Sequence, residues 1–204
     1  MSEIQPSKWL KWICSSKNLD ELCENYDRWA ITYETDVGGV WEPVPLAAAL
    51  MLAEYIDDKQ CAILDAGAGT GLVGVALAEL GFKQIIAIDI SSSMLAKAVA
   101  KGVYSSSLCC SIGDRLFRNL KRVSGIIAAG VFAEAHAGAA ELLALSEKII
   151  DEGVLVFTAR QSFLPQLQEV VNRPEWSPIN SKAMPIYDDP MHLLAYRIKK
   201  TTES

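Results

Sequence analysis

Short, unbroken apolar runs recur through the middle of the chain. They are Cys61-Ala62-Ile63-Leu64, Ile85-Ile86-Ala87-Ile88, Ile126-Ile127-Ala128-Ala129 and Val154-Leu155-Val156-Phe157. None alternates with polar residues, so they predict strands covered on both faces, as in a parallel sheet. Leu108-Cys109-Cys110-Ser111-Ile112 predicts a weaker strand. Helical stretches lie between the runs. Leu72 to Leu80 leads to Gly81, a residue suited to the left-handed position beyond a helix end. Met94 to Lys101 follows Ser91-Ser92-Ser93, which supplies an N-cap, and meets Gly102. Ala139 to Ile150 predicts a further helix leading into the turn Asp151-Glu152-Gly153. Strand and helix therefore alternate, which predicts a doubly wound α/β sheet.

The flanks read differently. Upstream, Asn18 to Tyr33 predicts one helix and Leu46 to Ile56 another, with Pro45 near its start, where a missing N–H costs little. Downstream, Pro165, Pro174, Pro178, Pro185 and Pro190 punctuate the chain. Pro174 to Tyr187 and His192 to Lys199 predict two strands joined by a turn at Asp188-Asp189-Pro190, a pair that closes one sheet edge. Residues 1–20 read as an N-terminal extension outside the core, and 21–204 as one domain.

Composition narrows the function classes. Of 204 residues, 50% are hydrophobic and 22% charged, which excludes disorder throughout. The net charge of −6 denies the chain the broad cationic surface that a nucleic-acid partner requires. No apolar run reaches the roughly 20 residues of a membrane span, and Met1 to Lys17 lacks the long apolar stretch of a secretory signal, so the expectation is a soluble, cytoplasmic protein. Cys14, Cys23, Cys61, Cys109 and Cys110 have irregular spacing and include no C-x-x-C, and the histidines are His136 and His192 alone. That supply predicts neither a disulfide framework nor a metal site. Cys109 and Cys110 read as buried strand residues.

The stretch richest in chemistry is Ile63-Leu64-Asp65-Ala66-Gly67-Ala68-Gly69-Thr70-Gly71-Leu72-Val73-Gly74. A strand enters a glycine-rich turn that opens a helix, where positive φ and close ligand approach need glycine. Read literally, Gly69-x-Gly71-x-x-Gly74 matches the dinucleotide fingerprint. Asp65 stands against that reading, because a carboxylate repels a diphosphate and attracts a ligand carrying ammonium and sulfonium charges. Asp89 closes the second strand, where a carboxylate accepts both ribose hydroxyls.

These residues resemble the class I S-adenosylmethionine-dependent methyltransferases. Leu64 to Gly71 is similar to their first motif, Ile88-Asp89-Ile90-Ser91 with Met94-Leu95 to the second-strand motif, and Ile112-Gly113-Asp114 to the loop whose acidic residue meets the adenine. Tyr26-Asp27-Arg28-Trp29-Ala30 with Tyr33, Lys101-Gly102-Val103-Tyr104 and Gly130-Val131-Phe132 resemble the Williams–Beuren-region methyltransferase-like family. The chain departs from it at Ala66 and Ala68, and at Arg115-Leu116-Phe117, where Leu-Pro is common. The resemblance implies a mostly parallel, seven-stranded Rossmann-like sheet with an antiparallel last strand and an N-terminal helical cap. It implies S-adenosyl-L-methionine as cofactor. Asp65 and the backbone of Gly67, Ala68, Gly69, Thr70 and Gly71 would face its methionine part, with Tyr33 capping that end and Gly130 near the ammonium. Asp89 would hold the ribose, Ile90 and Met94 would lie against the adenine, and Gly113 and Asp114 would reach its amino group.

Methyl transfer needs position more than covalent chemistry, and a general base where the acceptor is a hydroxyl or an ammonium. Glu134 and His136 follow the fourth strand, in a loop that lines the ligand crevice of this architecture, and are the candidate bases. Tyr187 and Asp188 are weaker candidates. Trp9, Trp12, Trp29 and Trp41 crowd the N-terminal segment and read either as a lid over the acceptor pocket or, with Trp29 in the core, as cover for apolar surface, the latter favoured for Trp9 and Trp12. The expected reaction is methyl transfer to a small molecule, with a protein acceptor left open. The competing readings are a cofactor-binding module without catalysis and a nicotinamide-dependent oxidoreductase.

Overall fold

The computed structural model describes residues 12, 13, 15–186 and 188–200. Its chain order is α1 (Leu19–Trp29), α2 (Tyr33–Val37), α3 (Pro43–Ala53), β1 (Ala62–Ala66), α4 (Leu72–Glu79), β2 (Gln84–Asp89), α5 (Ser92–Ala100) and β3 (Ser106–Cys109). There follow α6 (Arg115–Arg118), β4 (Val123–Phe132), α7 (Ala139–Glu147), β5 (Ile149–Arg160), α8 (Leu164–Val171), β6 (Trp176–Met184) and β7 (Met191–Ile198). The strands form one seven-stranded sheet in the order β3-β2-β1-β4-β5-β7-β6. β3 to β5 are parallel, and β7 runs antiparallel to both β5 and β6. This is the doubly wound sheet with the predicted strand pair at its edge.

The apolar runs are continuous because successive residues serve opposite faces of the sheet. Ile63, Ile85, Ile127, Val154 and Val156 pack beneath α3 and α4 with Leu52 and Leu77. Leu64, Ile88, Ile126, Leu155 and Phe157 pack on the other face with Leu142 and Leu145 of α7 and Leu167 of α8. The order reverses at β1 and β4, so a crevice opens at the carboxyl ends of those strands.

Several boundaries differ from the sequence reading. The upstream helix is two helices, broken at Ala30–Thr32, with Tyr33 opening the second. The next begins at Pro43 rather than Leu46, since Pro43 and Pro45 both fit the first turn, where no N–H is needed. Pro165 opens α8 for the same reason, a helix the proline pattern hid. α6, one turn capped by Asp114, is likewise unpredicted. β3 is shorter than expected and ends at Cys109, which is exposed, while Cys110 is buried. The helix predicted to Ile150 stops at Glu147, because Ile149 already pairs with Val123 in the sheet. Among the described residues of the N-terminal extension, Ile13 is fully buried beside Leu22, Trp29 and Met94, so this part packs on the core. Trp9 and Tyr187 lie outside the described residues.

Candidate cofactor and active site

A cavity of about 510 Å³ opens at the crevice. Its floor is Gly67 and Gly69 after β1, Asp89 and Ile90 after β2, and Gly130 and Val131 late in β4. Helix α1 and the segment before it form the roof, through Ser16, Asn18, Leu22 and Tyr26. Helix α1 forms because Asn18 caps it, accepting Glu21 N–H at 2.9 Å, and because Leu22, Asn25 and Trp29 recur on its buried face. Asp27 then fastens it to the start of α5, its Oδ1 accepting the Ser91 hydroxyl at 2.5 Å and Ser93 N–H at 2.9 Å.

The glycine turn is held from within. Gly67 N–H and Ala68 N–H both donate to Ile88 O at 2.9 Å, and Gly71 N–H donates to Ala68 O at 2.8 Å. Gly69 N–H donates to Asp89 Oδ2 at 2.7 Å, while Asp89 Oδ1 accepts Ser91 N–H at 2.8 Å. These four loop amides thus already have acceptors inside the protein. A diphosphate needs such amides unpaired, so the literal fingerprint does not describe a diphosphate cradle here. The charged side chains lining the cavity are Asp89, Glu141 and Lys17, a further misfit for a doubly anionic bridge. Each Asp89 oxygen keeps a lone pair for a second donor, which is what a ribose diol offers.

The predicted cofactor residues divide into two groups. Tyr33, Gly67, Gly69, Asp89, Ile90, Met94 and Gly130 line the cavity. Asp65, Ala68, Thr70, Gly71, Gly113 and Asp114 do not. Asp65 is buried behind the turn, where Tyr104 donates to its Oδ2 at 2.6 Å. Burial pushes its carboxyl up to about 7, opposed by the hydrogen bonds from Tyr104 and the Gly74 N–H and reinforced by Asp89. Gly71 is small for packing: a Cβ there would stand 2.9 Å from Ala98 Cα. Asp114 turns its Oδ1 to Phe117 N–H at 2.7 Å to cap α6. The loop meets the cavity through Ser111 and Ile112 instead.

A raised carboxyl has a definite effect on stability. The folded protein holds the Asp65 proton more tightly than the unfolded chain, so this contribution is complete below the ordinary aspartate range and is lost as pH climbs through about 7. Asp65→Asn should flatten that decline. Denaturant titrations from pH 5 to pH 9 check it, and an unchanged pH slope in the variant would refute the buried-acid assignment.

On the opposite wall, His136 is half-buried and doubly engaged. Its Nδ1 lies 2.9 Å from Glu134 O, which accepts only, so Nδ1 carries the proton. Its Nε2 therefore presents a lone pair to the Tyr26 hydroxyl, which donates at 2.9 Å. Burial holds His136 below its ordinary value, with Arg160 acting the same way and the Glu134 bond opposing. Of the two candidate bases, His136 faces the cavity, whereas the exposed Glu134 contributes its main-chain carbonyl.

Sequence reasoning missed three supports, and the contact made by a fourth residue, Trp41. Tyr26 was visible within a motif but had no assigned partner, because His136 lies 110 residues away. Thr158 accepts Gly130 N–H at 2.8 Å, and Trp41 stands over Gly130, where a Cβ would meet its ring at 3.0 Å. Glu141 takes Gly138 N–H at 2.8 Å at the start of α7. Tyr26 carried a signal through its motif and Trp41 as an aromatic residue in a loop-like stretch, whereas Thr158 and Glu141 carried none.

Residues 63–148 match the family model of a methyltransferase domain. That match runs from β1 through α7 and takes in the glycine turn and Asp89. Human Methyltransferase-like protein 27 is 37% identical to the chain over 91 residues, 44% of this chain and 37% of that protein. The chain thus matches little more than a third of the length of that relative. Among solved structures, magnesium protoporphyrin IX methyltransferase from Synechocystis PCC 6803 with bound SAM superposes with a TM-score of 0.68 at 14% identity, covering 98% of this chain and 100% of that one. The N-methyltransferase NodS of Bradyrhizobium japonicum WM9 with S-adenosyl-l-homocysteine gives 0.67 at 14%, covering 87% and 98%. The [4+2]-cyclase SpnF gives 0.72 at 13%, covering 90% and 98%. At such identities these likenesses establish the fold, and a cyclase among them means that the fold alone does not choose the reaction. Among the described residues, no helix is long and apolar enough to cross a membrane, and no three His, Cys, Asp or Glu side chains gather as a metal site.

Proposed function

We propose that this chain transfers the methyl group of S-adenosylmethionine to a small-molecule acceptor, and that His136 is the base for the acceptor proton. The observation that carries the cofactor reading is the internally bonded glycine turn beside a cavity-facing Asp89. We assign the ribose to Asp89, the adenine to Ile90, Met94 and the Ser111–Ile112 turn, and the methionine end to Gly67, Gly69, Gly130 and Tyr33. Asp65, Ala68, Thr70 and Gly71 shape the turn from behind, and Gly113 and Asp114 place the adenine loop. The domain is taken as 21–204, and 1–20 as an appendage whose described residues close the cavity.

When bound, S-adenosylmethionine supplies the electrophilic carbon and its own leaving group. The protein's part is to position, to exclude water and to take a proton. Helix α1 covers the cavity, and Leu22 and Tyr26 exclude water from its roof. His136 is neutral at physiological pH, with its proton fixed on Nδ1, so Nε2 is the basic atom. Tyr26 holds that atom until an acceptor hydroxyl or ammonium takes its place or donates through it. A cavity of about 510 Å³ suits a cofactor with a small acceptor.

Calorimetry tests the cofactor assignment: S-adenosylhomocysteine should bind, and NAD should not. Binding of NAD without S-adenosylhomocysteine would end this reading. Incubating the metabolite fraction of a cell extract with methyl-labelled cofactor should yield a labelled small molecule. His136→Asn should lower that transfer by about 10²–10⁴-fold, the scale of general-base catalysis, with S-adenosylhomocysteine affinity nearly unchanged. The acid limb of the wild-type rate should fall below the ordinary imidazole range, following the lowered His136. Full activity in His136→Asn would remove it as the base.

A further inference from the structure

Two thiols outside this mechanism converge on one atom. Cys23 Sγ on α1 lies 3.0 Å from Ile90 O, and Cys109 Sγ at the end of β3 lies 3.5 Å from the same oxygen. Ile90 lines the cavity, as do Leu22 and Tyr26, the neighbours of Cys23 on α1. Cys23 and Asp27 stand one helical turn apart and face the same β2–α5 loop, so α1 is docked on that loop by a thiol and a carboxylate together. Cys109 is exposed and Cys23 is half-buried.

We propose that Cys23 and Cys109 are an oxidative modification site, a dithiol whose disulfide fastens the roof helix α1 to the end of β3. Both sulfurs contact one carbonyl oxygen, and each must rotate toward the other to reach the bonding distance of about 2.0 Å. The co-reactant is a small disulfide of the glutathione class. Cys109, whose thiol is held above its ordinary range by partial burial and by Asp89 and Asp27, gives its proton to solvent and attacks as the thiolate, breaking the small disulfide's S–S bond and expelling one small thiolate. Cys23, giving its proton to solvent, then attacks the Cys109 sulfur and expels the second small thiolate. Two protein thiols are oxidised and one small disulfide is reduced to two thiols. Cys110 stays out of this exchange, since it is buried and its thiol is pushed up to about 12 by burial, with Asp114, Cys109 and Asp89 adding to the shift. The consequence is mechanical. A roof tied at its adenosine end opens less readily, so ligand exchange slows without loss of any lining residue.

The functional half of this inference rests on the cofactor reading above; the covalent half does not. The full chain is treated with oxidised glutathione and mapped by peptide mass, and S-adenosylhomocysteine dissociation is followed by stopped flow. The expected result is a linked Cys23–Cys109 peptide and roughly fivefold slower dissociation, reversed by dithiothreitol and absent in Cys109→Ser. Glutathione left on Cys109 with no link to Cys23 would overturn the site. A linked peptide with unchanged dissociation would overturn the switch. Failure of S-adenosylhomocysteine to bind the reduced chain would overturn the cofactor reading and with it the switch, while the peptide map would still decide the disulfide.

Discussion

Asp89→Ala is expected to weaken S-adenosylhomocysteine binding by about 1.5–3 kcal/mol, or about ten- to a hundredfold in Kd, the scale of hydrogen bonds to a charged group. Two losses combine in this variant. The ribose loses its acceptor, and Gly69 N–H and Ser91 N–H lose the carboxylate that ties the glycine turn to the β2–α5 loop. Asp89→Asn separates little, because its amide places a donor against one of those two N–H groups. The variant that discriminates is Ser91→Ala, which removes the hydroxyl that Asp27 accepts and leaves Asp89 and its two amides in place. It should loosen α1 with a much smaller effect on affinity. Burial raises the Asp89 carboxyl, so wild-type affinity should fall as the solution is acidified and the acceptor becomes protonated. Calorimetry across pH, with circular dichroism to confirm the fold, decides the matter. Undiminished affinity in a folded Asp89→Ala protein would refute the ribose assignment and leave the crevice without its anchoring charge.

The parts of this molecule legible in its sequence are those governed by local rules. Buried parallel strands must be apolar on both faces, so Ile63-Leu64 and Val154-Leu155-Val156-Phe157 announce β1 and β5. Ser91 announces α5 because capping is a contact of three residues, Ser91 Oγ accepting Met94 N–H at 3.1 Å. Asp89 is legible because its place at a strand end fixes its direction. What escaped depends on distant partners. The role of His136 is set by Tyr26 and that of Gly130 by Thr158 and Trp41, none of them near in sequence. Asp65 is the instructive case. Its sequence position suits a cation-binding carboxylate, yet Tyr104, 39 residues on, draws it to the back of the turn. A side chain's type limits its chemistry, and the fold chooses which way it points.

Gly74→Ala is expected to destabilise the protein by about 2–4 kcal/mol, even though alanine is the better helix former by about 1 kcal/mol. Gly74 sits in the first turn of α4, within ordinary helical backbone, so no conformational strain accompanies the substitution. The obstacle is Tyr104. A Cβ at Gly74 would stand 2.2 Å from both Cζ and Oη of its ring. The ring must move, and buried Asp65 Oδ2 would then lose the Tyr104 hydroxyl that donates to it. The third glycine of the literal dinucleotide spacing is thus accounted for by an aromatic neighbour, and Gly71 by its φ of +93° together with Ala98. Removing the obstacle tests this. Tyr104→Ala alone should also destabilise, by emptying the space and leaving Asp65 with the Gly74 N–H but no hydroxyl donor, but Gly74→Ala added to it should cost little or even stabilise. A double-mutant cycle in denaturant should therefore give a coupling of about 2–4 kcal/mol, at or above the upper end of the range for residues in direct contact. Simple additivity would mean that Gly74 is not small on account of Tyr104, and the glycine spacing would again call for a ligand to explain it.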